Sequence, residues 1–156
     1  MFDRESRLLR PDELPASAGG AIAKALERHG LDDDPVGRGV AAIETASTAI
    51  KSGLGRLFGK PKTTLSWAIV TPTWLWIALD PGDDPHAFPM RLAGMEVLDH
   101  AQTVAARLAT DHGLSLTSFR PGEPTRTNYF LGMGEGAAAD TFAAALRAAV
   151  AAAGPG

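Results

Sequence analysis

The sequence contains no cysteine, few aromatic residues and no hydrophobic run of membrane-spanning length. Without cysteine the chain has no disulfide bond, no thiolate metal site and no thiol nucleophile. The most apolar stretch, Leu65–Leu79, is interrupted by serine, threonine and proline and is too short to cross a bilayer. Residues 1–7 mix both charge signs without an apolar core, which predicts no signal peptide. We therefore expect a cytoplasmic protein that touches a membrane only at its periphery.

An excess of positive charge is also absent. The formal net charge is −3 at pH 7, with 45% hydrophobic and 21% charged residues. These values are typical of a globular chain and argue against a surface built for nucleic acid, so we expect no nucleic-acid partner. Aromatic residues make up only 6% of the chain, but its three tryptophans, Trp67, Trp74 and Trp76, lie close together.

The first 60 residues predict a tail followed by two helices. Residues 1–15 are charged and contain two prolines, which indicates a tail. Ser17–His29 begins with an N-cap serine and ends before a glycine, which predicts a short helix. The acidic stretch Leu31–Pro35 is typical of a solvated turn. Apolar residues spaced three and four apart then predict a second helix over Val36–Phe58.

The composition changes after the linker-like segment Gly59–Lys62, and we place a domain boundary there. The chain is divided into an N-terminal tail and two-helix arm (residues 1–60) and a second domain (residues 61–154). Residues 64–70 and 73–79 are rich in β-branched and aromatic residues around a proline turn, which predicts a hairpin. Further short strands are predicted at residues 88–90, 91–98, 114–119 and 127–131. Residues 99–111 stay ambiguous, because their apolar residues allow a helix but the block is short and lies between strands.

A closing helix is predicted over residues 137–152. Phe142, Leu146 and Val150 are spaced four apart and form one apolar face, with alanines beside them. The order of elements predicts an α+β fold in which a run of antiparallel strands lies between two predicted N-terminal helices and one C-terminal helix.

Residues 64–152 resemble a bacterial pleckstrin-homology-like (PH-like) domain. The segments that carry the resemblance are Thr71–Trp76, Arg91–Val97, Gly113–Leu116, Phe130–Gly134 and Phe142–Leu146. The resemblance implies a strongly bent antiparallel β-barrel or sandwich closed by the C-terminal helix, preceded here by an N-terminal helical arm. Domains of this family usually bind lipid headgroups, peptides or proteins, and bacterial examples often self-associate.

A basic stretch over residues 45–79 contains four cations and no acidic residue. We expect a partner- or membrane-binding surface made by its cations and neighbouring apolar residues, Lys51, Leu54, Arg56, Phe58, Lys60 and Lys62. A basic amphipathic helix of this kind lies in a membrane interface, or it packs on its own domain with its cations in solvent. The oligomer or packing interface is expected at Ile50, Leu57, Trp74 and Trp76, because both faces of the second hairpin strand are apolar. One face is expected in the core, and the other meets the N-terminal helices or another subunit.

No residue pattern predicts catalysis, a metal or a cofactor. The segment Gly132–Gly136 lacks the following strand and acidic residue of a dinucleotide site, and we interpret its glycines as supplying positive φ before the helix. The histidines form no metal-ligand pair. The sequence therefore predicts a non-enzymatic binding or scaffold module that self-associates and engages a protein partner or an anionic membrane surface. The alternative is a small-ligand-binding protein or small enzyme on an α+β fold that uses Asp83, His86 or His112.

Overall fold

A computed structural model describes residues 2–50, 61–103 and 111–156 of the chain. The strands of this part are β1 (Phe2–Leu9), β2 (Ala41–Ala49), β3 (Thr63–Val70), β4 (Trp74–Asp80), β5 (His86–Arg91), β6 (Glu96–Asp99), β7 (Gly113–Ser118) and β8 (Thr127–Gly132). The α-helices are α1 (Ala16–His29) and α2 (Ala137–Ala153). Short 3₁₀ turns lie at Pro11–Glu13 and His100–Gln102.

The strands form two antiparallel sheets in the described part of the chain. One sheet has the order β1-β2-β3-β4-β5, and the other has the order β6-β7-β8. Every neighbouring pair is antiparallel. The predicted α+β class with antiparallel sheets is therefore confirmed. No strand pairing among these residues joins the two sheets into a closed barrel.

Strand β1 replaces the tail that the sequence predicted for residues 1–15. It pairs with β2 from Phe2 opposite Ala49 to Leu9 opposite Ala42. Because β1 is the edge strand of its sheet, most of its side chains are exposed, and the charged residues Asp3, Glu5 and Arg7 remain in solvent. The mixed charge that suggested a tail is thus accommodated by an edge strand.

The second predicted helix, Val36–Phe58, is wrong over its described part, where Ala41–Ala49 forms β2. Ala42 faces α1 and Ile43 faces the opposite core, so both sides of this strand are covered. A strand covered on both faces loses the alternation of polar and apolar residues, and its apolar positions then imitate helical spacing. Residues 51–58 of the prediction lie outside the described residues. The boundary predicted at residue 61 falls between β2 and β3, which pair from Ala41–Val70 to Thr48–Thr63.

The five-stranded sheet is buried on both faces and separates two apolar clusters. Its first face packs on α2 and the three-stranded sheet, where Phe142 and Leu146 are fully buried. Its second face carries Trp67 and Trp76 and packs on α1. Helix α1 contributes mainly small side chains to this contact (Ala18, Ala21, Ile22 and Ala25). Small helical residues against large sheet residues allow the two layers to interdigitate at core density.

Several local predictions are confirmed. The predicted helix Ser17–His29 is α1, which ends as predicted at Gly30 in the left-handed conformation with φ of 59°. The N-cap predicted at Ser17 is wrong, because the helix begins at Ala16 with Pro15 at the N-cap position. The predicted hairpin is β3 and β4, and the predicted closing helix is α2. The strand predicted over residues 91–98 is interrupted, because the chain turns at Gly94 with φ of 71° before β6 begins. Within the described ranges, neither helix has the length and hydropathy that a bilayer crossing requires.

Candidate functional site

Most residues of the predicted partner-binding surface lie outside the described residues. These are Lys51, Leu54, Arg56, Phe58 and Lys60, and Leu57 of the predicted oligomer or packing interface also lies outside the described residues. Lys62 of the predicted surface is described and precedes the start of β3, and Ile50 of the predicted interface follows the end of β2. Because Thr48 pairs with Thr63 and their hydroxyls lie 2.9 Å apart, the two ends of this connection are held together at one end of the sheet.

Two of the exposed apolar residues, Phe2 and Ile50, lie at the same end of the five-stranded sheet. Phe2 lies opposite Ala49 at the start of β1 and is 45% exposed, while Ile50 is 49% exposed. Lys62 is exposed beside them at the start of the next strand. We refer to Phe2, Ile50 and Lys62 as the strand-end surface. The sequence predicts Ile50 and Lys62 as site residues. It does not predict Phe2, because it does not predict β1.

Lys62 also lies close to the β4–β5 turn, which begins with the acidic residue Asp80. Its side chain passes beside Gly82. No carboxylate of this turn forms an ion pair with Lys62 in the described part of the chain. The Asp80 carboxylate instead accepts a hydrogen bond from the backbone N–H of Gly82 at 2.9 Å. The Lys62 charge therefore remains available at this end of the sheet.

The tryptophans predicted for an oligomer or packing interface lie under α1. Trp76 is completely buried, and Trp74 is partly buried at the margin of the same cluster. Helix α1 thus covers the second apolar face of the hairpin from within the chain, which is one of the two arrangements that the sequence left open. Trp67 lies in the same layer but opposite Ala78, so the buried tryptophans are diagonal neighbours across the two strands.

A buried carboxylate anchors this tryptophan layer. The Trp76 Nε1–H donates to Asp33 Oδ2 at 2.8 Å, and the Thr71 hydroxyl donates to the same oxygen at 2.9 Å. The Asp33 side chain is 1% exposed, and Arg38 lies 3.6 Å from its other oxygen. That oxygen, Oδ1, has no hydrogen-bond partner among the described residues. The sequence predicted a solvated acidic turn here, and nothing in three consecutive aspartates distinguishes the buried one.

Trp67 has a carboxylate partner of its own. Its Nε1–H donates to Glu44 Oε2 at 2.8 Å, while Arg7 Nε donates to Glu44 Oε1 at 2.6 Å. The hydrogen bond from Arg7 holds the pKa of Glu44 below its ordinary value, and the bond from Trp67 acts in the same direction against the effect of burial. Glu44 therefore links the edge strand β1 to the tryptophan layer through its two oxygens.

Two adjoining cavities meet at His112 and Glu135, one of about 260 Å³ against the start of α2 and one of about 310 Å³ against β1. His112 and Glu135 line both cavities, and His112 Nε2 lies 2.6 Å from Glu135 Oε1. Arg4 donates to Asp111 at 2.8 Å on the same wall. Both members of the His112–Glu135 pair are largely exposed. The pair is therefore a surface ion pair when the histidine is protonated.

The residues of the alternative enzyme hypothesis do not come together in one cavity. His86 lines a separate cavity of about 240 Å³ between α1 and β5, with Lys24 and Arg28. His112 lines the cavities at α2 instead, and Asp83 is exposed in the β4–β5 turn. Across the described ranges, no three histidine or acidic side chains are grouped as metal ligands.

The glycines before α2 have two different roles. Gly136 has φ of 112° and forms the N-cap of α2, as predicted for a turn into the helix. Gly132 and Gly134 do not have positive φ, so that prediction is wrong for them. A Cβ atom at Gly134 would lie 2.6 Å from the backbone oxygen of Arg4, and one at Gly132 would meet the Arg4 side chain. These two glycines allow β1 to approach the end of β8.

No family model, no curated protein and no solved structure matches the chain.

Proposed function

We propose that this protein is a non-enzymatic binding module that engages an anionic membrane surface. The binding surface is the strand-end surface together with the basic connection between β2 and β3. The observation that carries the proposal is that Phe2 and Ile50 are exposed at the point where this connection leaves the sheet.

The sequence of the connection contains three further cations. Lys51, Arg56 and Lys60 lie in the sequence between Ile50 and Lys62, and residues 45–79 contain no acidic residue. Each Lys or Arg near an anionic lipid surface contributes about 1 kcal/mol, and buried apolar side chains add to this attraction. Exposed apolar residues beside a basic segment therefore support an interfacial contact, in which a chain of net charge −3 presents its one basic stretch to the lipid.

The fold supports a PH-like module as the carrier of this surface. Two antiparallel sheets pack around a core that Phe142 and Leu146 of the C-terminal helix complete. This packing supports the proposal, because the resemblance of residues 64–152 implies antiparallel strands closed by a C-terminal helix. Strands β1 and β2 extend the first sheet of the module and bring Phe2 and Ile50 to the same end of that sheet.

Self-association and small-molecule chemistry are less well supported. Since α1 covers the apolar face of β4, the hairpin does not need a second subunit to bury it. Self-association stays a prediction, which the molar mass from light scattering tests directly. A small-ligand site at His112 rests on the cavities beside α2, and purified protein that carries stoichiometric metal or ligand would favour it.

The experiment is co-sedimentation with vesicles of phosphatidylcholine alone and of phosphatidylcholine with phosphatidylglycerol, each at low and high salt. We expect binding to the anionic vesicles only, weakened by salt. Reversing two charges with Lys60→Glu and Lys62→Glu removes about 2 kcal/mol of attraction, which is about thirtyfold in affinity. The matched control is Lys24→Glu with Arg28→Glu on α1, which changes the net charge equally and is expected to retain most of the binding.

The apolar contribution has its own pair of variants. Ile50→Ser is expected to weaken binding, whereas Val40→Ser is expected to leave it unchanged. Val40 is also a branched residue, 64% exposed, but it precedes the opposite end of β2.

An equal loss of vesicle binding in both charge-reversal pairs would show that only net charge matters and would contradict the assigned surface. Absence of binding to the anionic vesicles would reject the membrane function and leave a protein partner as the remaining form of the binding hypothesis.

A further inference from the structure

Arg120 differs from the other arginines that the structure describes. Six of these arginines pair with carboxylates: Arg4, Arg7, Arg10, Arg38, Arg126 and Arg147. Two more, Arg28 and Arg91, are exposed to solvent. Arg120 is partly buried, and no carboxylate of the described residues pairs with it. All Asp and Glu residues of the sequence lie in the described ranges.

The guanidinium of Arg120 is held in one orientation. Its Cζ lies 4.0 Å from the centroid of the Phe88 ring on β5, at the distance of a cation–π contact. Phe88 is in turn held edge-on by Tyr129 of β8, with ring centroids 5.2 Å apart and an angle of 74° between the rings. Both rings pack against the core between the sheets. The guanidinium therefore lies on the ring of Phe88, which is itself packed against a ring from the other sheet.

No nitrogen of this guanidinium forms a hydrogen bond within the described part of the chain. The Arg120 Nε–H is buried and has no hydrogen-bond partner among the described residues. A guanidinium remains charged at all physiological pH values, so its charge here is only partly solvated and only partly compensated by the ring. The two terminal nitrogens of a guanidinium are spaced so that they can donate two parallel hydrogen bonds to two oxygens of a carboxylate or a phosphate.

Tyr129 places a neutral donor beside this charge. Burial raises the pKa of Tyr129, and the charge of Arg120 lowers it by a smaller amount. The hydroxyl therefore stays protonated at neutral pH and presents an O–H group rather than a negative charge that would compete for Arg120.

We propose that Arg120, Phe88 and Tyr129 form a binding site for an oxyanion group, a carboxylate or a phosphate, of a small ligand. The terminal nitrogens of Arg120 hold two oxygens of the group, and the aromatic pair fixes the guanidinium plane before the ligand arrives. The site does not depend on the membrane proposal, because none of its three residues belongs to the strand-end surface or to the β2–β3 connection.

The test is an NMR titration of the Arg Nε–H signals with sodium phosphate and with sodium acetate, each compared with sodium chloride at equal ionic strength. We expect a saturable shift of the Arg120 Nε–H signal with at least one of the two anions. A shift with phosphate alone assigns a phosphate group to the ligand, and a shift with acetate alone assigns a carboxylate. The proposal would be overturned if neither anion produced a saturable shift of the Arg120 Nε–H signal.

The variants separate binding from general effects of salt. Arg120→Gln is expected to abolish the saturable change at neighbouring backbone amides, and Arg120→Lys, which keeps the charge but loses the fork, is expected to weaken binding about tenfold. Arg28→Gln is the matched control and should bind as the wild type does. Retention of wild-type affinity by Arg120→Gln would also overturn the proposal. Thermal unfolding in chloride establishes that each variant is folded before it is titrated.

Discussion

Replacing Asp33 by alanine tests the buried carboxylate beneath α1. The substitution removes the acceptor of two donors, the indole N–H of Trp76 and the hydroxyl of Thr71, and both residues are completely buried. The Thr71 hydroxyl keeps a second acceptor, the backbone oxygen of Trp74 at 3.3 Å. The indole of Trp76 can only donate and has no second acceptor in the described contacts, so it bears the larger loss.

The expected cost follows from these two donors. A buried donor left without a partner costs about 1–3 kcal/mol, and hydrogen bonds to a charged acceptor lie in the upper part of that range. With the full cost at Trp76 and a smaller one at Thr71, Asp33→Ala should lower the free energy of unfolding by about 2–4 kcal/mol. Asp33→Asn keeps an acceptor oxygen in a side chain of the same shape. Its loss in the free energy of unfolding should therefore be smaller than that of Asp33→Ala by at least about 1 kcal/mol.

Urea unfolding followed by far-ultraviolet circular dichroism measures this difference, with the change read from the midpoint at constant m-value. Asp32→Ala is the control, because Asp32 is an exposed neighbour of the same charge. In a double-mutant cycle, Asp33→Ala should cost at least about 1 kcal/mol less when Trp76→Phe has already removed the indole donor. Equal midpoints for Asp33→Ala and Asp32→Ala, or a cycle with no coupling, would refute the role assigned to the buried carboxylate.

Three further predictions concern titration and close packing. The pKa of Glu44 in the folded protein is depressed, so its contribution to stability is present above its ordinary pKa of 4.5 and is lost as the pH falls through the depressed value. The urea midpoint of Glu44→Gln should therefore fall less on acidification than that of the wild type. Parallel curves of midpoint against pH would contradict this. Tyr129 is the single tyrosine, so near-ultraviolet absorbance should give one transition above pH 10, and Arg120→Gln should move it higher still; a transition at or below pH 10 would show that the ring is solvated. Gly134→Ala should destabilise the protein by about 1–3 kcal/mol because its Cβ meets backbone, whereas Gly20→Ala on the open side of α1 should stabilise it by about 0.5–1 kcal/mol, as thermal unfolding would show.

The sequence predicts the parts of the fold that local chemistry determines. Helix α1 is predicted from its apolar spacing and from the glycine that ends it, and the β3–β4 hairpin is predicted from β-branched residues around a proline turn. Strand β2 was missed because its identity depends on what covers it: Ala42 and Ile43 face different layers, and the layers are contributed by distant segments. Strand β1 was missed because an edge strand tolerates charge that usually indicates a tail.

The candidate sites divide in the same way. The basic segment that contains Lys62 was visible because its charge is contiguous in sequence. Asp33 and Arg120 were not visible, since each acquires its role from partners more than 30 positions away, such as Trp76 and Phe88. One aspartate among three, or one arginine in a loop, carries no local sign that its side chain is enclosed.

The contacts of β1 also affect how quickly the fold forms. Arg4 bonds to Asp111, and Ser6 accepts a hydrogen bond from the backbone N–H of Gly134, at separations of 107 and 128 positions. Contacts of such long range slow folding, because distant segments must meet before the contacts form. Until they form, the strand has an unpaired edge that can pair with another chain. The exposed charges along β1, which keep that edge soluble, therefore protect the partly folded chain from aggregation as well as the finished sheet.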